Sequence, residues 1–297
     1  MILKKLSYPG HQRALGFSLL EIAIVLLIIA IIGAATLNIS TGAIQAKRRV
    51  ATLERGEAIQ AAITLFVSQS KRLPCPADGA AAQGTVNAGK ELRPTQDCGV
   101  QTTGTVPYLA LGLTEEVTTD GWNNRFTYRV AGGLPSKLTF DNGMDMTLCD
   151  VSGTEPGPPT PPRACNTACV TTATLALALS CTKPQDFLAT KGLTIQDASG
   201  TTLAAPSTLP PFNGVAYVLI SHGENFAGAY NSQGILIAGT GVVGTNETTN
   251  SNNQPLKTTY IDAQYDGSQS TAHFDDLIFR PTIAQIIDHA KLSARAR

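Results

Sequence analysis

Glu21 is a carboxylate inside an apolar run that extends from Phe17 to Ala35. An acid near the centre of a membrane-spanning helix costs about 2.5 to 3.5 kcal/mol, so a charge in this setting needs a partner. Cleavage after Gly16 would supply one, because the new α-ammonium of Phe17 would stand four residues before Glu21, on the same face of a helix. The chemistry in prospect is a proteolytic cut followed by ion pairing. An uncut chain has no cation at that place.

A second constellation has the residue types of hydrolysis. Ser221 and His222, with His273, Asp275 and Asp276, are the ingredients of a nucleophile–base–acid triad. Neighbours on a strand point to opposite faces, however, so Ser221 and His222 would not engage one another if both are extended. No G-x-S-x-G elbow surrounds the serine, and there is no P-loop, dinucleotide fingerprint or H-E-x-x-H. The chain has four histidines, with His11 near its start and His289 near a basic C-terminal stretch, and satisfied surface histidines are the plainer reading. An enzyme is not expected.

The thiols are a third set. All six cysteines lie beyond the apolar run, which fits an oxidising compartment. Cys75 and Cys98 bracket a Gly/Ala-rich loop and are expected to pair. Cys149, Cys165, Cys169 and Cys181 would form two further disulfides of open connectivity. Four thiolates would also suit a tetrahedral zinc site, but the C-x-x-C pairing typical of such sites is absent.

These groups need elements to position them. From Asn38 to about Ser70 there is no proline, and Ile44, Val50, Leu53, Ile59, Ile63, Phe66 and Val67 keep helical spacing. Joined to the apolar run, this predicts one helix of about 80 Å from Phe17 to Ser70, ending near Leu73-Pro74. Gly33, Gly42 and Gly56 weaken it by about 1 kcal/mol each relative to Ala. Strand-like runs follow at Arg125–Val130, Ala216–Ile220 and Ile235–Ile237. Between them, residues 149–211 read as a Pro/Cys-rich insertion with a short Ala/Leu-rich helical stretch at Thr171–Ser180. Ile283, Ile286, Ile287 and Ala290 predict a short C-terminal helix with basic charge at its end. The charge is balanced, 22 basic against 22 acidic residues, and no Lys/Arg stripe with aromatics appears, so nucleic acid is not an expected partner.

The segment Gly16-Phe17-Ser18-Leu19-Leu20-Glu21, set between a short basic leader and the apolar run, resembles the class III leader of type IV prepilins and type II secretion pseudopilins. The resemblance implies cleavage by a prepilin peptidase between Gly16 and Phe17, N-methylation of Phe17, and a docking role for Glu21 in assembly. It also implies an α+β fold, in which a long N-terminal helix, membrane-embedded in its first half, packs on an antiparallel β-sheet.

Carried onto this chain, residues 1–16 would be the leader, 17–35 the transmembrane and filament-core segment, and 36–72 the amphipathic continuation. Residues 73–148 and 212–297 would form the globular body around the 149–211 insertion. The implied function is a pseudopilin or minor pilin of a type II secretion or type IV pilus fibre. Its partners would be the prepilin peptidase, other pilin or pseudopilin subunits and the inner-membrane assembly platform. It would sit in the bacterial inner membrane as a single-pass protein, with its body in the periplasm or in a fibre.

Competing readings are an ordinary secretory signal cut near Gly33-Ala34-Ala35, a plain membrane anchor carrying an extracytoplasmic binding module, and a cell-envelope hydrolase.

Two fainter echoes of the family follow. Asp120-Gly121-Trp122-Asn123-Asn124-Arg125-Phe126 is similar to the Asp-x-Trp-Gly-Asn-Pro-Tyr turn of major pseudopilins, with Arg125 where Pro is usual. Ser221–Asn225 followed by Asp275–Ile278 resembles their C-terminal loop and final strand, a region that can hold calcium in those proteins. Here Asn225, Asp262, Asp266, Asp275 and Asp276 offer oxygen donors for such an ion, against the plainer reading of a solvated polar loop. No other cofactor is expected.

Overall fold

The computed structural model describes residues 18–93, 96–99, 102–131, 138–151, 165, 182–251 and 257–295, without the side chains of 33–41. Helix α1 spans Leu19–Ser70, the proline-free stretch of the sequence. The chain divides into two compact units, one ending at Lys47 and the other running from Arg48 to Arg297.

In the first unit, the α1 side chains from Leu19 to Ile32 are almost all apolar and all exposed. In the second, α1 buries Ile59, Ile63 and Val67, spaced by four residues, as one helical stripe in the core. Gly56 permits this approach: a Cβ there would lie 2.1 Å from the ring of Phe279. The turn of propensity lost at Gly56 is thus offset by close packing of the helix on the strand that carries Phe279.

Two sheets make up the body. The first contains β1 (Thr103–Thr105), β2 (Thr127–Val130), β5 (Tyr217–Ser221) and β7 (Leu277–Phe279), in the order β1-β2-β5-β7 and antiparallel throughout. The second contains β3 (Thr194–Gln196), β4 (Thr202–Ala204) and β6 (Thr259–Ile261), in the order β4-β3-β6. Its β3–β4 pair is antiparallel and its β3–β6 pair parallel. Short helices α2 (Pro184–Leu188), α3 (Thr245–Asn250) and α4 (Ile283–His289) complete the order. In α4 the Thr282 hydroxyl accepts from the Gln285 N–H while the Gln285 side chain accepts from the Thr282 N–H, a reciprocal cap.

This architecture corrects the expected pilin-like fold of one antiparallel sheet on a membrane-embedded helix. Among the described residues there are two sheets, and one of them is mixed, its β3–β6 pair being parallel. No helix among the described residues is long and apolar enough to cross a membrane. The expected strand at Ile235–Ile237 is also corrected, since Leu236 makes an isolated bridge to Tyr230 and nothing longer.

The described part of the 149–211 segment contributes to the core of the body. Phe187, Leu193, Ile195 and Ala204 join the same core as β5 and the buried stripe of α1. Thr171–Ser180 and the prolines from Pro156 to Pro162 lie outside the described residues.

Lys191 sits in this part of the core, 1% exposed, with its Nζ 3.5 Å from the centre of the Phe187 ring. Burial lowers its pKa from 10.5 to about 7. Between those values the unfolded chain binds the extra proton, so stability rises with pH there, by at most about 1.4 kcal/mol per pH unit. Lys191→Met should therefore be more stable than the parent near pH 6, with the difference closing as the pH approaches 10. Urea midpoints of both proteins across that range will show it, and a constant difference would remove the role of the ammonium.

Candidate functional site

At the start of α1, Ser18 and Glu21 cap the helix. The Glu21 N–H donates to the Ser18 hydroxyl at 3.2 Å, and the Ser18 N–H donates to Glu21 Oε2 at 3.4 Å. This pairing satisfies two of the amides that every helix start leaves open. Glu21 thus has a local partner in addition to the docking role implied for it. Gly16 and Phe17 lie outside the described residues.

The turn after the 3-10 helix Glu116–Thr118 is organised by Asp120. One carboxylate oxygen accepts from the Trp122 and Asn124 amides at 3.0 and 2.9 Å, and the other accepts from the Ser221 hydroxyl at 2.7 Å. Burial raises the Asp120 pKa, and these donors oppose the rise. The turn seats on α1: the Gly121 N–H donates to the Thr52 hydroxyl at 2.9 Å, and the Arg55 guanidinium donates to the carbonyls of Thr119 and Asp120. Any side chain at Gly121 would strike the Arg48 carbonyl, 2.2 Å from the position of a Cβ.

Behind this turn lies a buried polar centre built by β5, α3 and the approach to β7. His222 Nε2 lies 2.8 Å from the Thr127 hydroxyl, and its Nδ1 lies 3.5 Å from Asp276 Oδ1. Asp276 Oδ2 accepts from the Asn250 amide at 2.8 Å. Asn250 also bonds both the N–H and the carbonyl of Ile261, tying β6 to this centre. The fully buried Glu247 accepts from the Gly244 and Asp275 amides, each at 2.7 Å, and from the Asn225 side chain at 2.8 Å. Asp275 Oδ2 accepts from the Glu224 and Asn225 amides at 2.7 and 2.9 Å. The Asp275 pKa is raised first by burial, with the Glu247 and Asp276 carboxylates adding to it. Burial likewise raises that of Asp276, against the pull of His222 and Asn250.

The hydrolytic constellation is therefore divided. Ser221 donates to Asp120, while His222 turns to Thr127 and Asp276. Thr127, His222 and Asp276 do stand in nucleophile–base–acid order, with Thr127 and His222 at most 1% exposed.

The five oxygen donors considered for calcium are engaged separately. Asp262 holds Arg280, Asp266 caps the Ser268 amide, Asp276 faces His222 and Asn250, and only Asn225 and Asp275 bond one another. Cys75 and Cys98 form a disulfide, beside a two-pronged ion pair between Arg72 and Glu91. Cys149 and Cys165 form a second, and Cys169 and Cys181 lie outside the described residues.

Sequence reasoning missed Glu247, Asn250 and Thr127. The first two fall in Thr245-Asn246-Glu247-Thr248-Thr249-Asn250, which is polar throughout and reads as loop. The available signal was Gly244 followed three residues later by Glu247, the spacing of a helix start. In comparison with known proteins, the chain matches no family model, no curated protein and no solved structure.

Proposed function

We propose that the chain is a structural subunit, a pseudopilin or minor pilin, of a type II secretion or type IV pilus fibre. A prepilin peptidase would cut between Gly16 and Phe17 at the inner membrane, and assembly would proceed through the start of α1. The observation that carries this reading is the prepilin-type segment Gly16–Glu21, followed at once by a helical surface of exposed Leu, Ile and Val from Leu19 to Ile32. A contiguous apolar surface of this kind marks a contact with protein or lipid, and like helices from other subunits would cover it. The Cys75–Cys98 disulfide supports a body that matures outside the cytoplasm.

Intact mass and N-terminal sequencing of the membrane-extracted protein test the reading. The expected chain begins at Phe17 and is heavier by one methyl group. A start near Thr36, or an uncut Met1, would overturn it in favour of a secreted or simply anchored protein.

A further inference from the structure

The hydrogen bonding of His273 fixes which of its nitrogens carries a lone pair. Nδ1 lies 3.0 Å from the carbonyl oxygen of Ser268, and a carbonyl only accepts, so Nδ1 bears the hydrogen and the neutral ring presents a bare Nε2. That lone pair faces two carboxylates, Asp275 Oδ2 at 3.6 Å and Glu247 Oε1 at 3.8 Å. The three groups each bring a ligand-type atom within 4.8 Å of the others, and all three residues are buried. Asp275 Oδ1, on a residue 1% exposed, accepts no hydrogen bond. Lone pairs gathered in a place of low dielectric repel unless a proton or a metal ion stands among them.

The geometry points to a binding site for one divalent cation of the zinc type, held by His273 Nε2 and the carboxylates of Glu247 and Asp275. Donors about 2.0 to 2.1 Å from a tetrahedral Zn²⁺ stand roughly 3.3 Å apart, so the two carboxylates, 3.6 and 3.8 Å from Nε2 within a set spanning 4.8 Å, would draw in on an ion. One imidazole and two carboxylates suit Zn²⁺ and its first-row neighbours, whereas Ca²⁺ takes six to eight oxygens.

The surroundings fit as well. Metal-bound histidines usually donate their second ring N–H to a carbonyl or carboxylate, as His273 does to Ser268. The amides of Gly244, Glu224 and Asn225 hold the two carboxylates in place. His273 and Asp275 also line a cavity of about 410 Å³, shared with Glu224, Thr240 and Tyr265, which gives an ion a way in and leaves room for water as a further ligand. This inference is independent of the assembly proposal.

The test is titration calorimetry of the metal-stripped full chain with ZnCl₂, MnCl₂ and CaCl₂, with metal content measured after dialysis. One Zn²⁺ per chain is expected, bound more tightly than Ca²⁺, with a rise in thermal midpoint that depends on zinc concentration. His273→Asn keeps a donor for the Ser268 carbonyl and deletes only Nε2, so it should fold normally and lose at least about tenfold in zinc affinity. His273→Asp makes the donor set all oxygen and should shift the preference away from zinc toward Mn²⁺ and Ca²⁺. No binding at millimolar zinc, unchanged affinity in both His273→Asn and Asp275→Asn, or tighter binding of Ca²⁺ by the parent chain would each overturn the site.

Discussion

Arg125→Met should cost about 3 to 5 kcal/mol of folding stability, and Arg125→Pro should cost more. Arg125 is 4% exposed, and its guanidinium donates twice to Glu115 Oε1, at 3.0 and 2.7 Å. It also donates to the carbonyls of Gly79, Ala81 and Ser232, so one side chain holds three loops that are distant in sequence. Methionine fills similar space but leaves Glu115 as a nearly buried charge without its cation, and it takes the guanidinium donor from the Gly79 and Ala81 carbonyls, while the Ser232 carbonyl keeps the Gln83 N–H. Proline removes a further bond, because the Arg125 N–H donates to the Tyr230 carbonyl at 2.8 Å.

Proline is nonetheless the usual residue at this place in the turns that Asp120–Phe126 resembles. In this chain the turn is fastened from outside by the guanidinium. Urea denaturation followed by the fluorescence of Trp122, the single tryptophan and a member of the same turn, measures the effect. A loss below about 1 kcal/mol for Arg125→Met would mean that the loops hold without the clamp.

The second large effect concerns Glu21. If the proposed assembly role holds, Glu21→Ala leaves processing at Gly16 intact and abolishes incorporation into a fibre. That variant also removes the half of the helix cap in which the Ser18 N–H donates to the Glu21 carboxylate, a loss of up to about 1 kcal/mol, so it does not separate the two roles. Glu21→Gln does, because its amide oxygen still accepts from the Ser18 N–H while the charge is gone. Under the proposed docking role Glu21→Gln fails to incorporate as completely as Glu21→Ala, since burying a charged partner unpaired costs several kcal/mol. Ser18→Ala, which weakens only the cap, should incorporate. Normal incorporation of Glu21→Gln, read by immunoblot of sheared fibres, would assign Glu21 to capping alone.

What the sequence showed of this molecule was its local order. The C-terminal helix was visible because Ile283, Ile286 and Ile287 carry a clean helical period, and all three are buried. The strand at Thr127–Val130 fell within the expected run Arg125–Val130, and that at Tyr217–Ser221 overlaps the expected run Ala216–Ile220. The second sheet was not visible. Its strands are three residues each, too short to display alternation, and what holds them is a parallel pairing between segments far apart in the chain.

The membrane expectation came from hydropathy and from the resemblance of the Gly16–Glu21 segment, and hydropathy does not distinguish an apolar face awaiting protein from one awaiting lipid. Ser221 and His222 were rightly kept from one another by the alternation of a strand, but no sequence pattern pointed to Asp120 as the partner of the serine. The polar centre escaped for a similar reason. The network joins Glu247 and Asn250 of α3 to Asp275 and Asp276, some 25 residues further on and just before β7, and no local pattern announces such a pairing.

The strand order carries a consequence for biogenesis. β5, Tyr217–Ser221, is paired on one side by a strand made long before it and on the other by β7, Leu277–Phe279, made long after. Until β7 arrives, the apolar sequence Tyr-Val-Leu-Ile-Ser has an open edge, the kind of template on which chains aggregate. The β3–β6 pairing must likewise wait for Thr259–Ile261. Closing such distant contacts is slow, because loop entropy is lost before any pairing rewards it. The body should therefore mature late in synthesis, and its hazard is timing: a chain paused near residue 270 would present its central strand to proteases and to other unfinished copies, and one that emerges promptly would not.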